Sequence, residues 1–502
     1  MTAPKPLARF LPDEQATNRL GEDLAIALRP GDVVALHGDL GTGKTTLARA
    51  IIRALADDPT LDVPSPTFTL AQTYALRIPA HHFDLYRLSG AEELEELGLA
   101  EAIVEGIAFV EWPERALDAF KTAIRVTLRE RGEGREVEIA APDEAHARIA
   151  RSLAIREFLD ASGHAGAKRT FLLGDASVRA YETITTTHGE RLILMDAPER
   201  HDEPIVHDGL PYSRIARLAQ SVAAFVGVAK GLRAAGFAAP HIHALDLDRG
   251  LLLIEHLGEE HFVATGGAPI PERYLAAARL LAALHERTWP DHFPVAEGID
   301  YSPPPYDRAA LGIETELLLD WYLPHVKGRA ANQAERQVFG RLWAALFARL
   351  EASEQSLVLR DFHSPNIIWR EEERGLARLG LVDVQDAVFG PGAYDLASLA
   401  LDARADIPEA LERAVVDAYC DARRAPSFDR TAFEEAYAIT AAQRNTKLLG
   451  IFVRLARRDG KPGYLHHLPR IRAYLRRVLA HPALEELRAF YGEHGFLEDE
   501  AG

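Results

Sequence analysis

The sequence predicts two domains of different fold class, an N-terminal α/β domain and a C-terminal two-lobed α+β domain. Between about residues 9 and 139, helical and strand-like segments alternate, as in a helix-covered sheet that is largely parallel at its centre. From about residue 170, strands come first and helices then follow to the end of the chain. With 502 residues, each part is long enough to bury a core of its own.

The elements of the N-terminal domain follow from the spacing of apolar residues and from turn residues. Two helices are predicted on either side of a first buried strand, and further strands alternate with loops. The polar segment 129–135 is predicted to be a hairpin turn that closes the domain. The predicted helices are residues 13–27 and 47–55, and the predicted strands are 33–37, 68–76, 81–84, 107–111 and 124–128.

The predicted domain boundary lies at residues 140–143, which gives domains at 1–142 and 143–502. An amphipathic helix at 145–161 follows, and we assign it to the second domain, with a linker helix as the alternative. The remaining predictions for this domain are strands at 170–173, 181–186, 191–196 and 250–255, a helix at 213–235, and mostly helices after residue 255.

Composition and charge exclude several functions. The net charge of −18 leaves no broad positive face for non-specific binding to DNA, RNA or an anionic membrane, so any RNA contact is expected to be local or delivered by a partner. No run of about 18 apolar residues is present, and the start of the chain lacks the apolar core of a signal peptide, which predicts a cytoplasmic protein. The single cysteine, Cys420, excludes an internal disulfide.

Residues 38–46 meet the full pattern of a phosphate-binding loop, because they follow a buried strand and open into a helix. Glycines in such a loop allow successive N–H groups to turn towards a triphosphate at the helix N-terminus. Lys44 is expected to reach the outer phosphates, and the Thr45 hydroxyl to hold Mg²⁺. The N-terminal domain is therefore predicted to be a P-loop NTPase. Its predicted ATP-binding residues are Gly38, Gly41, Thr42, Gly43, Lys44, Thr45 and Thr46.

Two carboxylates end strands on the side of the sheet where the nucleotide is expected. Asp84 suits a second ligand around the metal, opposite Thr45. Glu111 ends the neighbouring predicted strand. Trp112, which follows it, either packs in the core or covers the nucleotide, and the sequence does not separate these alternatives.

Three segments accompany the phosphate loop, namely Ser65 to Thr69, His82 to Leu88 and Val110 to Glu114. By the order and spacing of these four motifs, about residues 9–140 resemble the TsaE family, the small ATPase subunit of the bacterial machinery that forms threonylcarbamoyladenosine in tRNA. The resemblance implies that ATP hydrolysis drives cycling with the partner subunits TsaB and TsaD, that Glu111 positions the attacking water, and that tRNA is contacted only indirectly. A general regulatory ATPase or an interaction module is the alternative.

A second nucleotide chemistry is predicted downstream. Asp361 precedes Asn366 by five residues, and Asp383 follows after a hairpin-like segment. Kinase-type loops use this arrangement, in which the first Asp takes the proton of the acceptor hydroxyl while the Asn and the later Asp coordinate the metal ions. The segment Gly174 to Tyr181, which includes Ser177, is expected to cover ATP. The backbone of the predicted hinge is expected to pair with adenine through Glu255 and Leu257.

About residues 150–490 resemble the aminoglycoside phosphotransferase superfamily, a protein-kinase-like fold, and most closely its AmgK-type kinases. The resemblance rests on the loops above and on Leu194 to Pro198, Asp383 to Ala387, Tyr394 to Leu399 and Gln443 to Gly450. It implies transfer of phosphate from ATP to the anomeric hydroxyl of N-acetylmuramate or N-acetylglucosamine in peptidoglycan recycling. Another hydroxylated substrate, such as an aminoglycoside, is the alternative. The third predicted strand lacks the usual kinase lysine, and Arg360 replaces a common glycine.

Sugar recognition is predicted on a late helix. Arg444, Asn445 and Lys447 lie close together there, and two cations three residues apart share one helix face and suit a substrate carboxylate such as the lactyl group of muramate. A solvated or salt-bridged helix face is the alternative. His363 and Asp395 are expected to hold the catalytic loop in place.

Overall fold

The computed structural model describes residues 4–88, 94, 97–172, 179–199, 204–207 and 209–498. The chain divides into two compact units, Met1–Asp196 and Ala197–Gly502. The first unit therefore includes not only the predicted N-terminal domain but also the helix and the three strands that follow residue 142.

The first unit contains a seven-stranded sheet whose strands are Leu7–Leu11 (β1), Val33–His37 (β2), Ala71–Tyr74 (β3), Ala80–Asp84 (β4), Ile107–Glu111 (β5), Ile124–Arg131 (β6) and Gly134–Ala140 (β7). Their order across the sheet is β1-β7-β6-β2-β5-β4-β3. The four central strands, β6, β2, β5 and β4, are parallel, as expected. The edge strands are antiparallel to their neighbours. The carboxyl ends of β2, β4 and β5 consequently lie together at one edge, beside the loop that follows β2.

The helices of the first unit are Glu14–Ala27 (α1), Lys44–Ala56 (α2), Leu99–Glu105 (α3) and Asp143–Ala161 (α4), with a 3₁₀ helix at Pro113–Phe120. Helix α1 begins after Asp13, whose carboxylate accepts a hydrogen bond from the backbone N–H of Ala16 at 2.7 Å. Gly21 allows α1 to approach α2 closely, since a Cβ there would lie 2.5 Å from that of Ala50.

Three antiparallel strands complete the first unit: Lys168–Leu172 (β8), Ala180–Thr185 (β9) and Arg191–Asp196 (β10). β9 pairs with β8 on one side and with β10 on the other. These strands agree with the sequence prediction to within two residues. The predicted turn at 129–135 is shorter than expected, because β6 and β7 continue to Arg131 and from Gly134, and Gly132 supplies the left-handed conformation at φ 60°.

In the second unit the strands are Ile205–His207 (β11), Leu210–Pro211 (β12), Ile242–Asp246 (β13), Leu251–Glu255 (β14), Phe293–Ala296 (β15), Ile299–Tyr301 (β16), Gln355–Val358 (β17), Ile367–Trp369 (β18), Leu379–Leu381 (β19) and Val388–Pro391 (β20). They pair antiparallel as β11 with β12, β13 with β14, β15 with β16, β17 with β20 and β18 with β19. The last two pairs frame the segment that carries the predicted catalytic residues.

The helices of the second unit are Tyr212–Ile215 (α5), Val222–Ala234 (α6), Pro271–His285 (α7), Arg308–Leu317 (α8), Leu323–Lys327 (α9), Gln333–Glu351 (α10), Ala393–Ala400 (α11), Glu409–Ala422 (α12), Arg430–Arg457 (α13), Leu468–Val478 (α14) and Glu485–Glu493 (α15). A π-helical turn, Leu318–Tyr322, joins α8 to α9. Over the part of the chain described above, no helix combines the length and the apolar character needed to cross a membrane.

The predicted continuous helix at 213–235 is wrong, because the structure divides it into α5 and α6. Arg217 has a left-handed backbone with φ 58°, which ends α5. The N–H of Ala219 then donates to the Asp386 carboxylate at 2.6 Å instead of to a helical carbonyl. A tertiary hydrogen bond thus overrides the local helical pattern, and the helix starts again at Val222.

Candidate functional site

The loop between β2 and α2 has the backbone that its glycines predict. Gly38, Gly41 and Gly43 all have positive φ angles, of 141°, 85° and 100°. A Cβ on Gly38 would lie 2.6 Å from the carbonyl oxygen of Leu128 and 2.7 Å from the Thr42 hydroxyl, so this position excludes any side chain. Gly43 directly precedes α2, whose first turn contains Lys44, Thr45 and Thr46. The helix N-terminus is therefore presented at the loop, as anion binding requires.

Lys44 is nearly buried, and its ammonium group is held by the loop itself. Its Nζ donates to the carbonyl oxygens of Gly38 and Asp39 at 2.7 and 2.9 Å. It also lies 3.7 Å from the ring centroid of Trp112. Burial lowers the pKa of Lys44, while the carboxylate of Glu111 opposes this shift. The contact places Trp112 beside Lys44, the predicted phosphate ligand, rather than only in the core.

Glu111 lies at the centre of a buried hydrogen-bonded group at the carboxyl end of β5. Its Oε2 accepts a hydrogen bond from the Thr45 hydroxyl at 2.9 Å. Its Oε1 lies 2.9 Å from Nε2 of His82, which is completely buried on β4. In the sequence, His82 is marked only as part of the segment His82 to Leu88. His82 and Asp84 are two residues apart on β4, so their side chains lie on the same face of the sheet. This spacing is the signal that could have identified His82.

Asp84 holds the chain segment that follows α2. Its Oδ2 accepts hydrogen bonds from the hydroxyls of Ser65 and Thr67 at 3.0 and 3.1 Å, and its Oδ1 accepts from the N–H of Tyr86 at 3.0 Å. The carboxylate in direct contact with Thr45 is thus Glu111, and not Asp84 as predicted from the sequence. Asp84 connects the 65–67 segment to this edge of the sheet.

The three predicted phosphotransfer residues come together in the second unit. The Asn366 side-chain nitrogen donates to the carbonyl oxygen of Asp361 at 3.0 Å and lies 3.5 Å from Oδ2 of Asp383. The other Asp383 oxygen accepts from the side chain of Gln385 at 2.7 Å. Asp383 has a left-handed backbone with φ 58°, which is the kind of strain found at functional sites. Asn366 and Asp383 are 17 positions apart in the sequence, and the hairpin β18–β19 between them brings them side by side.

The carboxylate of Asp361 is held in its ionised form. Burial alone would raise its pKa, but interaction with His363, and after it with Lys447 and Arg360, lowers it below its ordinary value. A second buried carboxylate, Asp395, accepts hydrogen bonds from the N–H groups of Leu359 and Arg360 at 2.6 and 2.7 Å. Burial raises the pKa of Asp395 to about 7. These contacts fit the expected role of Asp395 in holding the catalytic loop.

His363 and its neighbours fix the other side of this loop. Asp402 accepts hydrogen bonds from the N–H of Ser364 at 2.9 Å and from the hydroxyl of Tyr274 at 3.1 Å. Burial lowers the pKa of His363 to about 4, and the positive charge of Arg404 acts in the same direction. The imidazole is therefore neutral near pH 7, which suits a structural residue. Asp402 was not identified from the sequence, because it lies outside the quoted motifs.

A buried ionic network behind Asp361 was also not predicted. Glu314 on α8 is fully buried and pairs with the guanidinium of Arg360, which stands where related loops have glycine. Its carboxylate also binds Nζ of Lys447 at 2.7 Å and accepts from the side chain of Gln443 at 3.0 Å. Burial raises the pKa of Glu314, but Arg360 and Lys447 outweigh that effect and lower it to about 2. The network joins α8 and α13 to the catalytic loop.

These contacts separate the three predicted sugar-binding residues. Lys447 is committed to Glu314 and lies 3.3 Å from the Tyr394 hydroxyl, so the salt-bridged alternative describes it better. The fully buried amide of Asn445 donates to the carbonyl of Ala441 in its own helix at 2.8 Å, which does not support sugar contact. Arg444 is 4% exposed, and its charge acts on both Asp361 and Asp395. Its Nη1 is buried without a hydrogen-bond partner among the described residues, so it is the member of the set with a donor still available to a ligand.

Part of the predicted hinge, namely Glu255, already makes hydrogen bonds within the protein. The Glu255 carboxylate accepts from Arg233 at 3.2 Å and from the N–H of His241 at 3.0 Å, and its own N–H donates to the His241 carbonyl at 2.9 Å. The Glu255 carbonyl and the backbone of Leu257 therefore remain the candidates for adenine contact. Ser177 lies outside the described residues.

The donor atoms at both sites have the chemistry that Mg²⁺ prefers, which is oxygen from hydroxyl, amide and carboxylate groups. In the second unit, the Asn366 nitrogen is committed to the Asp361 carbonyl, so its amide oxygen is left for a cation beside the Asp383 carboxylate. In the first unit, the Thr45 hydroxyl gives its hydrogen to Glu111, and the lone pairs of its oxygen are left for a cation. Both sets of residues fit the metal.

The fold and the two sites define the class of protein, in which a nucleotide-binding glycine loop on a parallel sheet is joined to a phosphotransferase catalytic loop. The comparisons agree. Residues 11–137 match the family model for threonylcarbamoyl adenosine biosynthesis protein TsaE. Residues 168–433 match that of the phosphotransferase enzyme family, and the chain belongs to this family.

Individual relatives resemble each part. The N-acetylmuramate/N-acetylglucosamine kinase of Caulobacter vibrioides is 35% identical over 68% of this chain and 96% of its own length. The tRNA threonylcarbamoyladenosine biosynthesis protein TsaE of Rickettsia conorii is 45% identical over 21% of this chain and 59% of its own length. Its counterpart from Nostoc is 42% identical over 26% of this chain and 83% of its own length. The predicted fusion of a TsaE-type region with an AmgK-type kinase region is confirmed.

Proposed function

We propose that the chain is a bifunctional enzyme. Its N-terminal region acts as the ATPase subunit in threonylcarbamoyladenosine modification of tRNA. Its C-terminal region transfers phosphate from ATP to the anomeric hydroxyl of N-acetylmuramate or N-acetylglucosamine. The kinase assignment rests on the juxtaposition of Asp361, Asn366 and Asp383, together with the similarity to the Caulobacter kinase over nearly all of its length. We also propose that the domain boundary lies near residue 142 and that the protein works in the cytoplasm.

In the N-terminal region, the loop and sheet support a P-loop NTPase mechanism. The N–H groups of residues 38–46 and the ammonium group of Lys44 bind the phosphates, for which Lys44 exchanges its two loop carbonyl partners. Glu111 orients the water that attacks the γ-phosphorus, and His82 fixes the direction of that carboxylate. TsaB and TsaD are the proposed partner subunits, and tRNA is reached through them.

In the C-terminal region, Asp361 acts as the general base. It accepts the proton of the sugar hydroxyl as that oxygen forms a bond to the γ-phosphorus of ATP, and the bond from the γ-phosphorus to the bridging oxygen breaks to release ADP. The ionised state of Asp361 near pH 7 supports this role. Asn366 and Asp383 in this region, and Thr45 in the other, would hold Mg²⁺, which would neutralise charge at the phosphates.

The positive charge of Arg444 favours a particular acceptor. Arg444 is buried, its charge acts on Asp361, and its Nη1 has no hydrogen-bond partner among the described residues. It suits the lactyl carboxylate that N-acetylmuramate carries and N-acetylglucosamine lacks. The same guanidinium would repel a polycationic aminoglycoside. An acidic amino sugar is therefore the acceptor that the electrostatics of this site support best.

The decisive experiment incubates the full chain with Mg-ATP and separately with N-acetylmuramate, N-acetylglucosamine and an aminoglycoside such as kanamycin. The expected product is an anomeric sugar phosphate, identified by phosphorus NMR. Phosphorylated aminoglycoside with unchanged amino sugars would overturn the kinase assignment. For the N-terminal region, the chain is expected to restore threonylcarbamoyladenosine in cells depleted of TsaE. Failure there despite soluble expression would favour a general ATPase or interaction module.

A further inference from the structure

An arginine outside the phosphate-loop motif lies against that loop. A Cβ on Gly43 would lie 3.2 Å from Nε and 3.7 Å from Cζ of Arg135, so the guanidinium is in contact with the loop backbone. Gly43 directly precedes Lys44, at the N-terminus of α2. Arg135 belongs to β7, far from the loop in the sequence. The fold therefore brings a second cation to the helix N-terminus where the phosphates are expected.

The register of the strands explains how Arg135 reaches the loop. β6 is parallel to β2, and their pairing ends where Thr127 lies opposite His37. β6 then continues past the end of β2, and β7 returns antiparallel beside it with Arg135 opposite Glu130. Arg135 thus lies beyond the carboxyl end of β2, where the phosphate loop begins.

Arg135 has no anionic partner in the part of the chain that the structure describes. Among those residues its Nε, a buried atom, has no hydrogen-bond partner, and its guanidinium forms no ion pair. Two other arginines of the same hairpin are exposed and paired, since Arg129 lies 3.6 Å from Glu138 and Arg131 lies 3.3 Å from Glu136. A partly buried cation without a carboxylate suits an anionic ligand, and a guanidinium matches the geometry of phosphate oxygens.

The order of the strands decides which phosphates Arg135 can reach. β6 and β7 lie on one side of β2, whereas β5, which carries Glu111, lies on the other. In the proposed mechanism Glu111 orients water at the γ-phosphorus, so the γ-phosphate lies towards β5. The side of the loop that faces β6 and β7 is left for the phosphates closer to the adenosine.

We propose that Arg135 binds the α- and β-phosphates of ATP beside Gly43. ATP and ADP share these phosphates, so Arg135 holds both nucleotides equally and takes no part in the transfer to water. Such uniform binding lowers KM without raising kcat. The ATP site therefore uses one cation from the phosphate loop, Lys44, and one from the β6–β7 hairpin. This inference rests on the proposed ATPase function.

The test compares Arg135→Ala with Arg131→Ala in the full-length chain. Arg131 is the matched control, because it lies on the same hairpin but is exposed and pairs with Glu136. The parent and both variants also carry Asp361→Asn and are assayed without sugar, so that the N-terminal region consumes the ATP. Three constants of ATP hydrolysis are expected to rise about tenfold in Arg135→Ala, namely the KM for ATP and the inhibition constants of ADP and inorganic tripolyphosphate. We expect kcat to stay within about twofold of the parent, and Arg131→Ala to stay within about twofold in every constant.

Other results would overturn the proposal. Unchanged KM in folded Arg135→Ala protein, or an equal rise in the two variants, would reduce the contact with Gly43 to packing. A fall in kcat instead of a rise in KM would assign Arg135 to the phosphate being transferred. Weaker inhibition by ADP, with inhibition by tripolyphosphate unchanged, would assign it to the adenosine. If Arg135→Ala does not fold, Arg135→Gln decides by the same measurements. Hydrolysis that is equally fast in Lys44→Ala would instead refute the proposed ATPase function.

Discussion

Thr45 donates its hydroxyl hydrogen to Glu111 across 2.9 Å, so the predicted metal ligand and the predicted water-orienting carboxylate are joined by one hydrogen bond. The oxygen of Thr45 keeps its lone pairs, and the second oxygen of Glu111 is fixed by His82. The carboxylate therefore has a direction fixed by protein groups on both of its oxygens. Such preorganisation is how a hydrolytic site lowers its barrier.

Replacing Glu111 with Gln is expected to slow ATP hydrolysis about a hundredfold while leaving ATP binding intact, because the amide preserves the size of the side chain but not its charge. Steady-state phosphate release and calorimetric titration with a non-hydrolysable ATP analogue measure the two effects. Glu114→Gln is the control, since Glu114 is half exposed and pairs with His37 at 2.6 Å. Equal loss of hydrolysis in both variants would contradict the role given to Glu111.

The parts of the fold and of the sites that the sequence predicted are those determined by neighbouring residues. The glycines within residues 38–46 favour a tight turn whatever the surrounding fold. Asp361 and Asn366, which are close in the sequence, are in direct contact in the structure. Contacts between distant segments were not predictable. Glu314 lies 46 residues before Arg360, and nothing in its helical pattern marks it as buried in an ion network.

Contacts between distant segments also explain the predictions that were wrong. Lys447 has the residue type and spacing of a substrate contact, but a distant glutamate, Glu314, binds it. The helix predicted across residue 217 is interrupted because Ala219 meets Asp386, 167 residues away. The local sequence pattern indicates which side chains have the chemistry to bind a ligand. Tertiary packing decides which of those side chains are still available to bind it.

Asp361→Asn is expected to reduce sugar phosphorylation about a thousandfold, because the amide cannot take the proton of the acceptor hydroxyl. The ATPase activity of the N-terminal region is expected to remain. Product formation followed by phosphorus NMR, with the melting temperature recorded in parallel, checks both statements. Sugar phosphorylation at a near wild-type rate would show that another group is the base.

Lys44→Ala is expected to abolish ATP hydrolysis by the N-terminal region and to leave sugar phosphorylation unchanged. The lysine binds the phosphate loop itself, through Gly38 and Asp39, and has no part in the catalytic loop around Asp361. Both activities are measured on the same preparation, with and without sugar. Simultaneous loss of the two in folded protein would mean that there are not two independent ATP sites.

Arg444→Ala is expected to lower the turnover of N-acetylmuramate more than that of N-acetylglucosamine, because only the first sugar has a carboxylate for the guanidinium to bind. A difference of about tenfold in the ratio of kcat/KM values corresponds to one charge-assisted hydrogen bond. Parallel kinetics on the two sugars provide the measurement. Equal losses on both would make Arg444 a support for Asp361 and Asp395 and not a reader of the substrate.

Acid is expected to destabilise the second unit through Glu314. Its pKa is lowered from 4.5 to about 2 in the folded chain, so the ionised form contributes stability at every pH above 4.5. This contribution, about 3 kcal/mol, is lost progressively as the pH falls from 4.5 towards 2, since the unfolded chain takes up the proton first. Denaturant unfolding at a series of pH values measures this contribution.

In Glu314→Gln the stability at pH 7 is expected to be lower by about 3 kcal/mol, because Arg360 and Lys447 are left buried without their anion. The same variant is expected to lose less stability than the wild type between pH 5 and 3, and an identical slope in both proteins would assign the acid sensitivity to other carboxylates.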